Sequence, residues 1–458
     1  MSAEPVREKA GLVRRLGPFT GVMVVLGIVI GTGLYRVPSL VALDVHSTVL
    51  FYGVWIVGGG IALCGALSVA ELAALYPYAG GLYVYIREAF GALPAFLFGW
   101  MWLLTDPISW AAQSLIFSEY LATFLPMGNV ARHVASAALI AGVALIQIRS
   151  VGMGARVQDF FGSIKLVTLL VLGFLLWFWV HPATAAVRSS HVPATAAAPD
   201  VFGGLMLALL AVLWAYDGWE NLTALSGEMR EPERNLPLSL IIGTLLVLAL
   251  YLGINGGYLH ILSLSGVAAH PSVAVASLAS FGSLFATISV ALLVMVSVLG
   301  SLNGSVMSDP RVFFAMAEDG LFFRRVGRAH RRFHTPHVAI LMDAILAIVF
   351  VSFRSFADLA AAYVLGIWPF LMLAVLGLFW LRRKRPHLER PYRVWGYPWV
   401  PGIFILASIL VLLGALWQKP FDVLVSLGLT LVGIPVYWTW QRTHRRLLES
   451  RLEPEPPA

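Results

Sequence analysis

Apolar runs of about twenty residues, the length a helix needs to cross a roughly 30 Å hydrocarbon layer, recur along almost the whole chain. That one pattern leaves few folds open. Segments such as Val201 to Trp214 and Phe404 to Trp417 are apolar on every face, so the period-two alternation of a membrane barrel is absent. In lipid every backbone N–H and C=O has to find its partner within the protein, and helices are the remaining way to achieve that. Composition agrees: with 458 residues, 59% hydrophobic and 12% charged, the chain has too little charge to cover a soluble globule of its size. The expected fold class is all-α and polytopic, with about twelve transmembrane helices.

A formal net charge of +7 would suit a nucleic-acid partner, but the placement of the basic residues marks topology instead. With the apolar runs taken as spans, most lysines and arginines fall on the amino-terminal side; Arg132, Arg188, Arg354 and Lys419 fall on the other, and Arg36, Lys165 and Arg311 lie within spans. This asymmetry predicts a multi-pass protein with both termini in the cytoplasm. It makes membrane lipid the expected partner, with no nucleic acid. The loop from Arg324 to Arg332 and the run Arg382 to Arg385 read as anchors of the same kind. Arg7, Lys9, Arg14 and Arg15 are mixed with Glu4 and Glu8, and no short apolar run there ends in a cleavage site, so no signal peptide is read. The polar stretches 181–201, 317–336 and 382–398 are too short for a soluble domain, which makes 1–458 a single membrane domain. Cys64 is the only cysteine; an internal disulfide and a Cys-rich metal site are excluded, and no metal or cofactor is expected.

Two spans differ from the rest. The first is interrupted by Gly31-Thr32-Gly33, the sixth by Trp214-Ala215-Tyr216-Asp217-Gly218-Trp219-Glu220. Counting from one to the other gives a step of five spans, an odd number, so a second set of five would run inverted relative to the first. The sets are 17–180 and 202–381, with two extra helices in 399–441. Interrupted helices at matching positions of two inverted halves point to a midplane binding site.

At Gly31-Thr32-Gly33, a break would leave N–H groups without partners at the positive end of the following half-helix, a setting that suits a carboxylate. The alternative is that Gly27 and Gly31 form a GxxxG packing face with no break. Asp217 and Glu220 sit between apolar stretches, where a carboxylate is expensive and usually functional. Carbonyls exposed by an unwound turn there, with or without Asp217, would receive an ammonium group. Otherwise the sixth span ends early and both acids are interfacial. An anion site facing a cation site at mid-membrane describes an α-amino acid.

Lys165 lies nine residues beyond Arg156, roughly 13 Å deeper along a helix. It either snorkels to the surface or is a buried amine beside the broken first helix, replacing a cation or exchanging protons. Glu71 is read as a partner for backbone or Arg87, Asp106 as the cap of a turn before Pro107, and Arg36 as reaching external headgroups.

Several motifs in fixed order then resemble one family. Ile30-Gly31-Thr32-Gly33-Leu34, Ala70-Glu71-Leu72 with Gly80-Gly81-Leu82-Tyr83, Arg87-Glu88-Ala89-Phe90-Gly91 and Ala215-Tyr216-Asp217-Gly218-Trp219 resemble the amino acid-polyamine-organocation (APC) superfamily. Pro232 to Pro237, Gly300 to Ser305, Arg311 to Gly320, Thr335-Pro336 and Leu388 to Pro391 look most like its L-type amino acid transporter branch. The resemblance implies a LeuT-like fold of two inverted five-helix repeats, with helices 1 and 6 broken, working by alternating access. Carried onto matching positions, it implies that the substrate carboxylate meets backbone at Gly31, Thr32 and Gly33. The amine would meet carbonyls around Val29, Ile30, Trp214 and Ala215, and Trp214 would be a gate. Lys165 matches a lysine that takes the place of a sodium ion, which implies sodium-independent transport, by exchange or with protons.

The loop from Met127 to Arg132 has no cysteine, so no disulfide-linked heavy subunit is expected, and a free-standing permease of the cytoplasmic membrane is implied. Asp217 stands where many relatives have a small residue. Neutral L-amino acids are the first expectation for cargo, and a cationic amino acid or polyamine the alternative. No HExxH, GxSxG or close His, Asp and Cys cluster supports an enzyme. A nontransporting amino acid sensor is the alternative class.

Overall fold

The computed structural model describes residues 12–31, 33–179, 201–353, 356–418 and 420–452. Thr32 of the predicted carboxylate site and the topology markers Arg188, Arg354 and Lys419 lie outside the described residues. Within them the fold is helical throughout, and the one pairing outside helices is an isolated bridge between Leu16 and Met229.

Among the described residues, nine helices are long and apolar enough to cross a membrane, and the bent pair Pro18–Val29 with Gly33–Asp44 makes a tenth. The protein is thus an all-α, polytopic membrane protein. Two further helices fall short on length or composition. Ala92–Leu121 is 30 residues long but carries Asp106, Ser109, Gln113 and Ser114 among its apolar residues, while His337–Phe353 is apolar but only 17 residues long.

Exposure follows the solvent that each face meets. Leu406, Leu410 and Leu413 of Trp399–Gln418 and Leu424, Leu427 and Leu431 of Pro420–Leu452 are all exposed, as suits helix faces turned to hydrocarbon. Pro18–Val29 is the opposite case. Every residue from Thr20 to Val29 is buried, because Pro232–Ile261, Val151–Phe174 and Ser283–Ser308 surround it.

Charged residues tie the helices together at one end of the bundle. Glu71 is fully buried and is held by Arg382 at 2.5 Å, by Arg390 at 3.2 Å and by the Val394 N–H at 2.8 Å. Arg87, expected as its partner, pairs with Asp319 and Glu88 instead. At the other end, Arg36 pairs with Glu119 at 3.3 Å.

Candidate binding site

At the first interruption the helix direction changes. Pro18–Val29 stops and Gly33–Asp44 starts at an angle of 45° to it. Between them Ile30 has φ −81° and ψ 77°, and the Gly31 N–H donates to the Val29 carbonyl at 2.9 Å. That is an inverse γ-turn, which consumes the Gly31 N–H that was expected to serve a carboxylate. The donors on this side are the first-turn N–H groups of the helix that opens at Gly33, which helical geometry leaves without intrahelical partners.

The second interruption lies against the first. Val201–Ala215 ends, and a turn through Tyr216, Asp217 and Gly218 leads into a 3₁₀ segment, Trp219–Glu228. Gly218 has φ +103°, a conformation that glycine adopts without steric cost. A Cβ there would sit 2.7 Å from Ile28 Cγ2, and one on Gly33 would sit 3.0 Å from Ala215 Cβ. Each break therefore seats a glycine on the other's chain. Glu220, read from sequence as interfacial or as a mid-membrane acid, is buried and turns back to accept from the Gly218 N–H at 3.2 Å.

The carbonyls assigned to an amine already have donors from the protein. Val29 O accepts from Gly31 N–H and from the Tyr251 hydroxyl at 3.1 Å. Ala215 O is 2.9 Å from the same hydroxyl, and Trp214 O accepts from the Asp217 N–H at 3.3 Å. Ile30 O accepts from Ser297 at 2.8 Å and from Lys165 Nζ at 2.5 Å. Lys165 is 1% exposed and also donates to Gly27 O at 2.7 Å. Of the two sequence readings for this lysine, the position is that of the buried amine, joining Val151–Phe174 to the end of the first half-helix.

Between the breaks lies a cavity of about 690 Å³, including its open mouth. Gly31, Gly33, Trp214, Ala215 and Asp217 line it, so most of the expected residues converge. Val29 also lines it, while Ile30 and Lys165 are not among its lining residues. Its far wall was not foreseen: Asp106 of Ala92–Leu121 and Asp309, between Ser283–Ser308 and Pro310–Glu318, face it, with Gln113, Asn221, Ser301 and Ser305. Asp309 accepts from Trp110 Nε1 at 3.0 Å, Asn221 Nδ2 at 2.8 Å and Ser308 Oγ at 2.6 Å. The cavity thus offers backbone N–H donors at the first break and carboxylates with hydroxyls on the far wall, a constellation that can orient a small zwitterion. Among the described residues that line it, none is Lys or Arg.

Comparison with known proteins points the same way. The family model described as amino acid permease matches residues 16–438. The serine/threonine exchanger of Bacillus subtilis (strain 168) is 32% identical over 437 residues, which covers 94% of this chain and 98% of that one. The b(0,+)-type amino acid transporter 1 of Homo sapiens is 30% identical over 447 residues, covering 95% and 89%. The human large neutral amino acids transporter small subunit 2 is 30% identical over 456 residues, covering 95% and 81%.

Proposed function

The chain belongs to the amino acid permease family, a transporter family rather than an enzyme family, and we propose that it carries L-amino acids across the cytoplasmic membrane by alternating access, without sodium. The observation that carries this reading is the mutual seating of the two breaks: Gly218 on Ile28 and Gly33 on Ala215, at the edge of one cavity. In the proposed arrangement the cargo carboxylate meets the backbone opening at Gly33, with Gly31 and Thr32 beside it. The amine lies toward Ala215 O and Asp217, because Val29 O and Ile30 O each accept two protein donors. Trp214 closes over the cargo, and Lys165 stands where a cation would otherwise hold the first helix.

The same reading completes the architecture. Ala92–Leu121 and His337–Phe353 join the ten apolar crossings to make twelve, arranged as two inverted repeats, 17–180 and 202–381, followed by 399–441. Both termini face the cytoplasm. No disulfide-linked heavy subunit is proposed, since Cys64 lies inside the helix Thr48–Leu75.

Neutral amino acids are the first proposal for cargo; the relatives' names range from serine and threonine to large neutral amino acids. A cationic side chain is the second reading, favoured by the carboxylates of Asp106, Asp217 and Asp309 in the cavity wall. Purified protein in sodium-free liposomes preloaded with unlabelled amino acid should take up labelled leucine by counterflow, and lysine less well. Ligand-dependent thermal stabilisation with no uptake would instead identify a sensor. If Asp217 serves a cationic cargo, Asp217→Asn lowers lysine uptake relative to leucine by about tenfold, as loss of a charged hydrogen bond implies.

A further inference from the structure

Arg15, Arg149 and Arg332 come from three distant parts of the chain and meet around a second hollow, of about 530 Å³ including its open mouth. Arg15 precedes the first broken helix, Arg149 ends Asn129–Arg149, and Arg332 lies in the loop that leads to His337–Phe353. The hollow shares no lining residue with the cargo cavity. Among the described residues that line it, none is Asp or Glu. Among the described residues, moreover, none of the three arginines forms an ion pair. Three guanidinium groups are gathered there without a described counter-charge.

Hydrogen bonds fix the walls of this hollow. His330 Nδ1 accepts from the N–H groups of Arg332 at 3.1 Å and Phe333 at 3.3 Å, and the His330 N–H donates to Thr335 O at 2.8 Å. Thr335 Oγ1 donates to Ile148 O at 2.7 Å, which fastens the turn carrying Arg332 to the end of Asn129–Arg149. The Arg332 guanidinium lies over the Phe333 ring at 5.7 Å, a contact that leaves its N–H edges for an acceptor. Across the hollow Val151–Phe174 opens with Ser150 as its cap, the hydroxyl accepting from the Met153 N–H at 3.3 Å. Arg15 lies over that first turn, since a Cβ on Gly152 would sit 3.8 Å from Arg15 Nη1.

A cleft lined by charge of one sign concentrates its potential, and guanidinium forks match the oxygens of a phosphate group two at a time. A carboxylate has two oxygens and suits one fork, whereas a phosphate has enough to be shared among three. The helix opening at Val151 adds first-turn N–H groups and the positive end of its dipole. We propose that this hollow binds a phosphate group, carried by an anionic lipid headgroup or present as a free phosphate anion. The Arg15 N–H donates at 2.8 Å to the oxygen of Glu228, the residue that ends the segment after the second break. A phosphate held here therefore ties the approach to both broken elements to the helix junction at Arg149 and Val151, and stabilises that arrangement. The site is independent of what the cargo cavity carries.

The test uses the full chain, purified in detergent and stripped of lipid. In one arm the thermal midpoint is followed while inorganic phosphate is added against chloride at matched ionic strength. In the other, phosphatidylglycerol or phosphatidylcholine is added and the retained lipids are counted by native mass spectrometry. A midpoint that rises with phosphate assigns the free anion, and selective retention of phosphatidylglycerol assigns the headgroup. Either response should be at least about tenfold weaker in Arg149→Gln with Arg332→Gln, as loss of charged hydrogen bonds implies, and unchanged in Arg383→Gln, which removes an exposed charge elsewhere. If the double variant does not fold, Arg332→Lys takes its place; it keeps the charge and loses the fork, so a several-fold weakening is expected. No response to any probe, or wild-type affinity in the folded variant, overturns the site and leaves the three arginines as surface anchors.

Discussion

The Tyr251 hydroxyl stands 3.1 Å from the carbonyl oxygen of Val29 and 2.9 Å from that of Ala215. One acceptor belongs to the end of each broken helix, and a phenol has a single proton to give. The hydroxyl therefore bridges the two half-helices while fully serving only one at a time. Such a contact suits elements that shift against each other, since the proton can follow whichever carbonyl is nearer. Tyr251→Phe keeps the ring, packed edge-on to Trp55 at 5.5 Å, and removes only the bridge. The loss of about 1 kcal/mol should slow uptake about fivefold with little change in expression. An unaltered initial rate at matched protein levels would show that the bridge plays no part in the cycle.

Lys165 makes a similar tie with a charge. Lys165→Ala leaves Gly27 O without its lysine donor and Ile30 O with Ser297 alone. Hydrogen bonds from charged donors contribute about 1.5–3 kcal/mol each, whereas relief of the buried charge acts in the opposite direction. Because the carbonyls stay buried, the first effect should win, lowering the thermal midpoint in detergent and reducing uptake at least about tenfold. Wild-type uptake should be the same in sodium and in choline. Stimulation by sodium would contradict the idea that the lysine stands in for a cation.

How far these features were legible depends on their sequence neighbourhood. Gly31, Gly33 and Gly218 punctuate otherwise continuous apolar runs, so both breaks could be read, and a lone lysine nine residues inside a span announces itself. Tyr251 could not be singled out: within Leu248 to Ile254 an aromatic reads as core, and only the fold shows its hydroxyl between two helix ends. Asp309 sits between Ser308 and Pro310, where an acid resembles a helix boundary, and Asp106 before Pro107 resembles a cap. What joins them is tertiary, across about two hundred positions of chain. Glu71 was legible as a structural residue but not its partner, since Arg382 and Arg390 approach from the far end of the sequence. The γ-turn at Ile30 also lay beyond reach, because it depends on one backbone dihedral and redirects the Gly31 N–H away from the cargo.

The seating of Gly218 on Ile28 can be tested by adding one methyl group. Gly218→Ala is strained twice, by φ +103° and by a Cβ 2.7 Å from Ile28 Cγ2. A non-glycine residue in that backbone region costs about 1–2 kcal/mol, and the overlap adds to it. The variant should show a lower unfolding midpoint and strongly reduced counterflow. Pairing it with Ile28→Ala should recover the steric part and leave the backbone part, so the double variant falls between wild type and the single. If Ile28→Ala gives no recovery, the two breaks are not in the contact described.

Arg311 and Glu228 form the most enclosed ion pair among those described, with both side chains at 0% exposure and contacts of 2.8 and 3.2 Å. Glu228 ends the 3₁₀ segment after the second break, and its backbone oxygen accepts from the N–H groups of Arg15 and Leu16, just before the first helix. The pair thus fastens the far ends of both broken elements to Pro310–Glu318. Removing one partner of a buried pair leaves an uncompensated charge, at about 3–5 kcal/mol, whereas replacing both with apolar residues is often near neutral. Arg311→Leu alone should therefore unfold far more readily than wild type, and Arg311→Leu with Glu228→Leu should regain most of the lost stability. Transport separates fastening from mere stability. If the tie holds the broken elements in a working register, the double variant should be stable yet slow, with reduced counterflow at unchanged cargo affinity. Full transport in the double variant would assign the pair to folding alone.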